Sequence, residues 1–592
     1  MTHEEYLYTK GCYKDPYAVW RREKAIDEPV IGLSDLRDEV LSAYELFTVG
    51  DVKIDDRFWQ RANDELAKSP GIIYADEDIG GVKDPFFKPE KSPETLENFF
   101  YIGAAVLVRR DIAEKVESDA SCGSIEFLRE CAKESRNYCH IGEVLVHRSE
   151  RAVYTYADAA PKKYDGNALV SVVILSKDNP EVLEKCVSSL CAAGELESQS
   201  LEIIVVDNGS NEENAKSYRE CAEKYGFRYM PHPMAFEYST LCNIGAAEAG
   251  GKFLLFLNDD IEVPAGTEFL REMLYYASKA EVGAVGCKLL YPDRETIQHN
   301  GITMLKSGPS HKLCTFSDRQ EYYCGVNRST RNVMAVTGAA LMVKASKFRK
   351  IGGFDERLKI AYTDMDLCFA LLEKGYRNVC ISDFYLLHHE SLSRDDDIND
   401  SRAFERLNRE RAVFEEKYAD ILKRGDPYYS PNLTKTRLDY SPDILMPDER
   451  LAVGTASNDI SVYSLKSGNK KAMASIDNIA FHLSDACCRR DYYEFSGWAF
   501  VRGTKGYSYD AVLVLDYGDE RLIFDTARCM REDVAKVFPK EKDVDLAGFV
   551  ARVHKDLIRK DRDCRISVGL VKPGLFNKRI YKGFIVEIDK AF

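Results

Sequence analysis

Leu169-Val170-Ser171-Val172-Val173-Ile174-Leu175 is a nearly continuous apolar run, the pattern of a strand buried on both faces. A helical segment opens near Pro180 and places Leu183, Cys186, Val187 and Leu190 at i, i+3, i+4 and i+7, one face of an amphipathic helix. A second apolar run, Leu201-Glu202-Ile203-Ile204-Val205-Val206, ends in Asp207-Asn208-Gly209-Ser210. A third, Lys252-Phe253-Leu254-Leu255-Phe256-Leu257, ends in Asn258-Asp259-Asp260. Strand, helix and strand in alternation predict right-handed parallel crossovers and an α/β sheet. Ligands of such sheets gather at the carboxyl ends of the strands, where Asp207 and the Asp259-Asp260 pair fall.

Around this segment lies a chain of 592 residues, enough for three or four domains of ~150 residues. Hydrophobic residues make up 45% and charged residues 30%, which excludes a disordered or collagen-like chain. With 97 acidic against 82 basic residues the formal charge is −15, which argues against bulk nucleic-acid binding. A nucleotide ligand is still compatible, since a divalent metal offsets phosphate charge locally. The 17 cysteines are scattered, with no CxxC, the usage of reduced thiols in a cytoplasmic protein. The first 20 residues hold no apolar core, so no secretory signal is expected. No run of about 18 apolar residues occurs, so no transmembrane segment is expected either. Peripheral attachment at the inner face of a membrane and self-association stay open.

Four regions are expected. Residues 1–165 mix helical and strand patterns. Residues 166–425 carry the α/β alternation and end in a charged helical stretch from Ser401 to about Lys423, with Phe404, Leu407, Ala412 and Phe414 among its apolar positions. Residues 426–474 form a connector rich in Pro, Tyr, Asn and Ser, and residues 475–592 turn to short β-like runs. Strands separated by Gly, Asp and Lys turns predict an all-β sandwich. Its Trp498, Tyr492, Tyr493, Tyr507 and Tyr509 suit core and edge packing better than sugar stacking.

Two carboxylates adjoining at a strand end repel each other unless water or a hard cation relieves them, and Mg²⁺ or Mn²⁺ can hold substrate phosphates at the same time. The plainer alternative for an isolated Asn-Asp-Asp is a solvated turn. Asp364 and Asp366 open a helix, where capping alone accounts for one carboxylate. His388 and His389 follow another strand-like run, and two imidazoles after the carboxylate pairs favour a functional site.

In order, the chain reads SVVILSKDNPEVLEKCVSSL, EIIVVDNGS, NIGAAEAGGKFLLFLNDDIEV, AVTGAALMV, IGGFDE, TDMDLCFALLEKGYR and HHESLSR. Over residues 168–395 this resembles the family 2 glycosyltransferases of GT-A fold, in particular bacterial cell-surface polysaccharide and rhamnosyltransferase-like members. The resemblance implies a GT-A (Rossmann-like) catalytic domain using Mn²⁺ or Mg²⁺ and a nucleotide-sugar donor, a UDP- or dTDP-sugar. It implies a glycan or lipid-linked glycan as acceptor.

Residue by residue, the resemblance puts Ser176 in the first nucleotide-binding loop and Asp207 on the donor base. Asn258-Asp259-Asp260 matches the aspartate motif, with Asp260 on the metal and Asp259 facing ribose or sugar. Asp364 takes the place of the catalytic base of an inverting transfer, His388 that of the metal-associated histidine, with His389 as the alternative, and Arg394 that of a pyrophosphate partner. Lys177 stands where many relatives carry an aromatic residue, and Thr363 where an acidic one is frequent. In the N-terminal region GIIYADEDIGG, KDPFFKPEKSPETLENFFYIGAAVLVRRDI and HIGEVLVHRSER resemble the second half of another such module. Its first half is missing, and Asp76-Glu77-Asp78 is expected to be no second metal site. The rival to an enzyme is a non-catalytic glycan-binding or scaffold protein that kept the fold.

Overall fold

The computed structural model describes residues 16–24, 32–116, 123–149, 162–306, 308–389, 401–444, 463–466, 469–482, 492–506, 508–529, 531–559, 562–572 and 581–588. They divide into two compact units, Asp27–Ser441 and Met1–Ile26 with Pro442–Phe592.

The apolar runs of the sequence become the centre of a ten-stranded sheet in the first unit. From one edge its main path runs Arg228–Pro231, Leu201–Asp207, Val170–Ser176, Phe253–Asn258, Ala340–Lys344, Val282–Leu290, Arg377–His388 and Ile261–Glu262. The first four are parallel neighbours, as the sequence predicts. Ala340–Lys344 is antiparallel to both its neighbours, so the sheet is mixed rather than parallel throughout. Helices cover both faces. Val170, Val172 and Ile174 enter one core with Leu183, Cys186 and Leu190 of the helix Pro180–Glu197, and Val173 enters the other. Burial of side chains on both faces explains why the run reads as continuous rather than alternating; each contributes ~1.5–3 kcal/mol.

The charged stretch after residue 400 forms two helices, Ser401–Lys417 and Ala419–Arg424. Phe414, Tyr418 and Ile421 bury against Phe369 and its neighbours, whereas Leu407 stays exposed.

Residues 44–148 hold a six-stranded sheet whose main path is Tyr44–Thr48, Ala105–Arg109, Ile72–Ile79, Tyr138–Arg148 and Val52–Ile54. Successive pairs are antiparallel, antiparallel, parallel and antiparallel. The same sequence of directions relates Phe253–Asn258, Ala340–Lys344, Val282–Leu290, Arg377–His388 and Ile261–Glu262 in the large sheet. The smaller sheet therefore repeats the second half of the larger one. In the larger sheet Ile261 pairs with His388; in the smaller, Val52 pairs with Arg148.

The two sheets are joined by a buried polar seam. Glu94 receives two hydrogen bonds from Arg377, at 2.8 and 2.7 Å, and one from Asn332 Nδ2 at 2.8 Å. Arg377 holds the Glu94 carboxyl below its usual range against the opposing effect of burial.

The second unit contains a five-stranded and a four-stranded sheet. Phe495, Phe549 and Val553 of one meet Leu513, Phe524 and Val568 of the other in a common core, the sandwich that the turn-separated strands predict. Its strands begin before residue 475, at Tyr463–Lys466 and Ala472–His482. Trp498 packs on Phe500 and Phe538 rather than standing free, and Tyr492 is buried. Tyr507 lies outside the described residues.

Candidate active site

Three strands of the large sheet end side by side at Ser176, Asp207 and Asn258. The strand order reverses there: the second strand lies on one side of the first and the third on the other, which opens a crevice at the carboxyl ends. Tyr218, from the helix Glu212–Tyr225, closes its floor. The Asn179 N–H donates to the Tyr218 hydroxyl at 2.9 Å, the hydroxyl lies 2.7 Å from Ser176 Oγ, and Ser176 Oγ–H donates to Asp259 Oδ2 at 2.6 Å. Burial pushes the Asp259 carboxyl up to about 6, opposed by this hydrogen bond and reinforced by Asp260.

Asp207 is buried and ties its own turn. Its Oδ1 accepts from the backbone N–H groups of Gly209 and Ser210 and from Ser210 Oγ, and its Oδ2 accepts from Tyr229 OH at 2.6 Å. Its carboxylate thus shapes the loop that borders the crevice. Lys177 is exposed beside it, and Arg394 lies outside the described residues.

Asp260 and His388 meet across the pairing of Ile261–Glu262 with Arg377–His388. His388 Nε2 lies 3.0 Å from Asp260 Oδ1, yet that buried oxygen makes no hydrogen bond. The reason is the orientation of the imidazole. Gln298 Oε1 stands 2.6 Å from His388 Nδ1, and Asn258 Nδ2 stands 3.3 Å from His388 Nε2. A proton on Nδ1 donated to Gln298 leaves Nε2 as an acceptor, so two lone-pair-bearing atoms face each other. The adjoining His389 turns to Glu262 Oε2 at 2.8 Å, which Lys185 also contacts. Of the two imidazoles, His388 is the one that faces the aspartate pair.

These residues fit a hard divalent cation. An orphaned carboxylate oxygen and an imidazole nitrogen 3.0 Å apart have the spacing of neighbouring donors around an octahedral ion at ~2.1 Å. Gln298 supplies the outer hydrogen bond that fixes a ligating histidine. Among the described residues no group of three or more His, Cys, Asp or Glu is placed to hold a metal, so the remaining ligands of such an ion come from water and phosphate oxygens, as is usual for Mg²⁺.

Asp364 lies in the first turn of the helix Thr363–Glu373, after Tyr362 in the left-handed region at φ 59°. Its Oδ1 accepts from the Met365 N–H at 2.8 Å and its Oδ2 from the Gly338 N–H at 2.9 Å. The next residue, Ala339, accepts through its carbonyl from the Asn258 N–H at 3.0 Å. One short backbone segment therefore holds Asp364 beside the aspartate motif. A Cβ at Gly338 would stand 2.8 Å from Tyr238 OH, so any larger residue there would push the Tyr238 ring aside. Asp366 instead faces Lys417 and Tyr418 at 2.6 and 2.9 Å, a packing role.

Gln298 and Tyr218 come from segments outside the quoted motifs, and no local pattern marks them; Gly338 lies within AVTGAALMV, but its contact with Asp364 is not readable from that stretch. Asp76, Glu77 and Asp78 are fully buried and paired within the chain. Asp76 meets His140 and the Lys88 N–H, Glu77 meets Lys88 and Arg148, and Asp78 meets His147. The trio forms a buried network of ion pairs and hydrogen bonds within the chain.

Residues 171–351 match the family model described as Glycosyl transferase family 2. The chain is 30% identical over 469 residues to the O-antigen biosynthesis protein RfbC of Myxococcus xanthus, covering 70% of this chain and 35% of that protein. It is 25% identical over 231 residues to N-acetylglucosaminyl-diphospho-decaprenol L-rhamnosyltransferase of Mycobacterium tuberculosis, covering 36% of this chain and 73% of the relative. A mannosyltransferase from Pyrobaculum calidifontis, solved with GDP-Man and Mn²⁺, aligns at 16% identity and a TM-score of 0.33, over 46% of this chain and 70% of its own. The chain thus spans about a third of the length of the O-antigen relative. Residues 171–351, which carry the central strands of the mixed α/β sheet and the strand-end carboxylates Asp207, Asp259 and Asp260, are thus similar to a family 2 glycosyltransferase domain.

Proposed function

We propose that this protein is a metal-dependent, inverting glycosyltransferase. It moves a sugar from a nucleoside-diphosphate sugar, a UDP- or dTDP-sugar, to a hydroxyl of a bacterial cell-surface glycan, free or lipid-linked. The observation that carries the reading is the unsatisfied Asp260 Oδ1 facing His388 Nε2 at 3.0 Å, beside Asp259 and within one backbone segment of Asp364. A scaffold protein would have little use for a buried carboxylate oxygen without a hydrogen bond, which costs stability unless something binds it.

Asp260 and His388 hold Mn²⁺ or Mg²⁺ in this reading, and the ion, when bound, offsets the charge that develops on the departing diphosphate. Ser176 and Asp207 shape the nucleotide side, Asn258 keeps His388 in place, and Asp259 receives ribose or sugar hydroxyls. Following the resemblance, Lys177 is assigned to the donor, where relatives stack on its base, and Arg394 to the pyrophosphate as a bidentate partner. Asp364 accepts the proton of the acceptor hydroxyl as that oxygen attacks the anomeric carbon, while the bond from that carbon to the diphosphate oxygen breaks. A positioned carboxylate base contributes about 10²–10⁴-fold. The sheet of residues 44–148 serves as a degenerate half-module with a structural role. No described helix is long and apolar enough to cross a membrane; work in the cytoplasm at the inner membrane face matches the proposed lipid-linked acceptor.

The test is release of nucleoside diphosphate from a panel of UDP-, dTDP- and GDP-sugars with Mn²⁺. Donor binding and release lost in Asp260→Asn establish the assignment. A wild-type protein that binds no donor leaves only the scaffold reading.

A further inference from the structure

Next to Asp364 stands a hairpin, Ile302–Leu305 paired with Gly308–His311. Gly308, at φ 115°, lies within ordinary contact reach of Tyr362, two residues before Asp364: a Cβ there would stand 3.9 Å from the Tyr362 hydroxyl. At its base His299 links the hairpin to the loop that carries Thr337. His299 Nε2 accepts from the Gly301 and Thr337 N–H groups at 3.3 and 3.5 Å, and its Nδ1 lies 3.2 Å from His311 Nδ1. Thr337 adjoins Gly338, which holds Asp364.

The outer side of the hairpin is held by residues 426–441. The Lys306 N–H donates to the Lys435 carbonyl at 2.8 Å and the Leu313 N–H to the Leu438 carbonyl at 2.9 Å, while Thr303 Oγ1 donates to Asp426. Lys312 is buried beneath this segment. Its ammonium donates to Tyr429 OH at 3.1 Å and to the carbonyls of Arg437, at 2.9 Å, and Asp439, and lies over the rings of Tyr429 and Tyr440. A cavity of about 40 Å³ remains between segment and hairpin, bordered by Asn300, Arg331 and Asp426.

The far end of the same segment is fixed to the smaller sheet. The Glu90 N–H donates to the Pro427 carbonyl at 2.8 Å, and Asn432 Nδ2 donates to Asp76 Oδ2 at 3.0 Å and to the Gly142 carbonyl at 2.8 Å. Tyr440 stacks on Tyr323, whose hydroxyl meets the Phe87 backbone. An unbroken set of contacts therefore runs from the buried Asp76 network to the hairpin beside Asp364.

We propose that the hairpin is the acceptor-side wall of the site and that residues 426–441, anchored on the N-terminal half-module, set its position, with Lys312 as the positioning residue. The wall assignment rests on Asp364 acting as the base, since the group that takes the acceptor proton faces the acceptor. The N-terminal half-module then acts as a buttress for acceptor binding without touching donor or acceptor.

The experiment uses the full chain and two variants, Lys312→Met, which keeps the volume, and Asn432→Ala, at the partly exposed anchor. Amide hydrogen exchange of residues 302–313 is expected to quicken about tenfold in both, with the strands Val170–Ser176 and Leu201–Asp207 unchanged. With Mn²⁺ and the donor panel, hydrolysis of donor by water is expected within about twofold of wild type. With a pool of octyl glycosides as acceptor probes, the acceptor KM is expected to rise about tenfold while kcat holds within about threefold. Unchanged exchange in both variants overturns the proposal. Loss of protection throughout the sheet in Asn432→Ala overturns it too, because that residue would then support the whole fold. Wild-type protein that neither transfers to the glycoside pool nor gains hairpin protection from it overturns the wall assignment. Absence of donor hydrolysis in wild type defeats the glycosyltransferase reading instead, and the exchange data still decide whether the segment holds the hairpin.

Discussion

His388 Nε2 and Asp260 Oδ1 face each other at 3.0 Å without a hydrogen bond between them. Gln298 Oε1, 2.6 Å from Nδ1, favours this arrangement by accepting a hydrogen bond from the N–H on the other side of the ring. Gln298→Ala is therefore expected to weaken Mn²⁺ binding about 10–100-fold, measured by calorimetry with the nucleoside diphosphate present, and to leave the fold intact. Affinity equal to wild type would remove the imidazole from the metal site.

Asp364→Asn is expected to lower transfer about 10²–10⁴-fold with donor affinity retained. The substituted amide has one oxygen for two backbone N–H groups, Gly338 and Met365, so a loss of ~1 kcal/mol in stability accompanies it. Urea unfolding separates the two effects. Full transfer activity in this variant would exclude Asp364 as the base.

The strands and the carboxylates at their ends were legible in the sequence because burial on two faces leaves an apolar run that nothing else explains. Asp260 and His388 meet at 3.0 Å, and Asp364 is tied to Asn258 through the Gly338–Ala339 backbone. The roles of Gln298 and Tyr218, and the hold of Gly338 on Asp364 within the quoted AVTGAALMV stretch, were not legible. They rest on contacts with residues more than 20 positions away, and single polar or glycine positions leave no periodic trace. The smaller sheet was recognisable from its later strands, but its short outer strands Tyr44–Thr48 and Val52–Ile54 are visible only through their pairing. Leu407, an apolar position of the charged helix, is exposed, because the core contact of that segment comes from Phe414, Tyr418 and Ile421 at its other end.

The seam between the two sheets hinges on Glu94 and Arg377. Arg377→Ala strands a carboxylate that is only 2% exposed and is expected to cost ~3–5 kcal/mol, while the double variant Glu94→Leu with Arg377→Met recovers most of it. Denaturant unfolding of both variants checks this. A cost below ~1 kcal/mol for Arg377→Ala would mean that the seam is wet.

Glu272 is buried, and burial, aided by nearby Asp383, pushes its carboxyl up to about 8 from 4.5. Its folded-state value lies above the unfolded one, so the stability it contributes is full below pH 4.5 and disappears as pH rises through 8. Glu272→Gln is expected to match wild type near pH 4 and to exceed it by ~1–3 kcal/mol at pH 8.5, read as melting temperature across that range. Parallel pH profiles would show that Glu272 ionises freely.

The two sheets of the larger unit differ most tellingly at one register position. Where the long sheet presents His388 opposite Ile261, the short one presents Arg148 opposite Val52, with Glu77 at 3.0 Å. There the guanidinium of Arg148, a permanent cation, meets Glu77 together with the buried Lys88 ammonium at 2.9 Å. The short sheet thus carries its counter-ions covalently, at the register position where the proposed reading has the long sheet recruit one from solution.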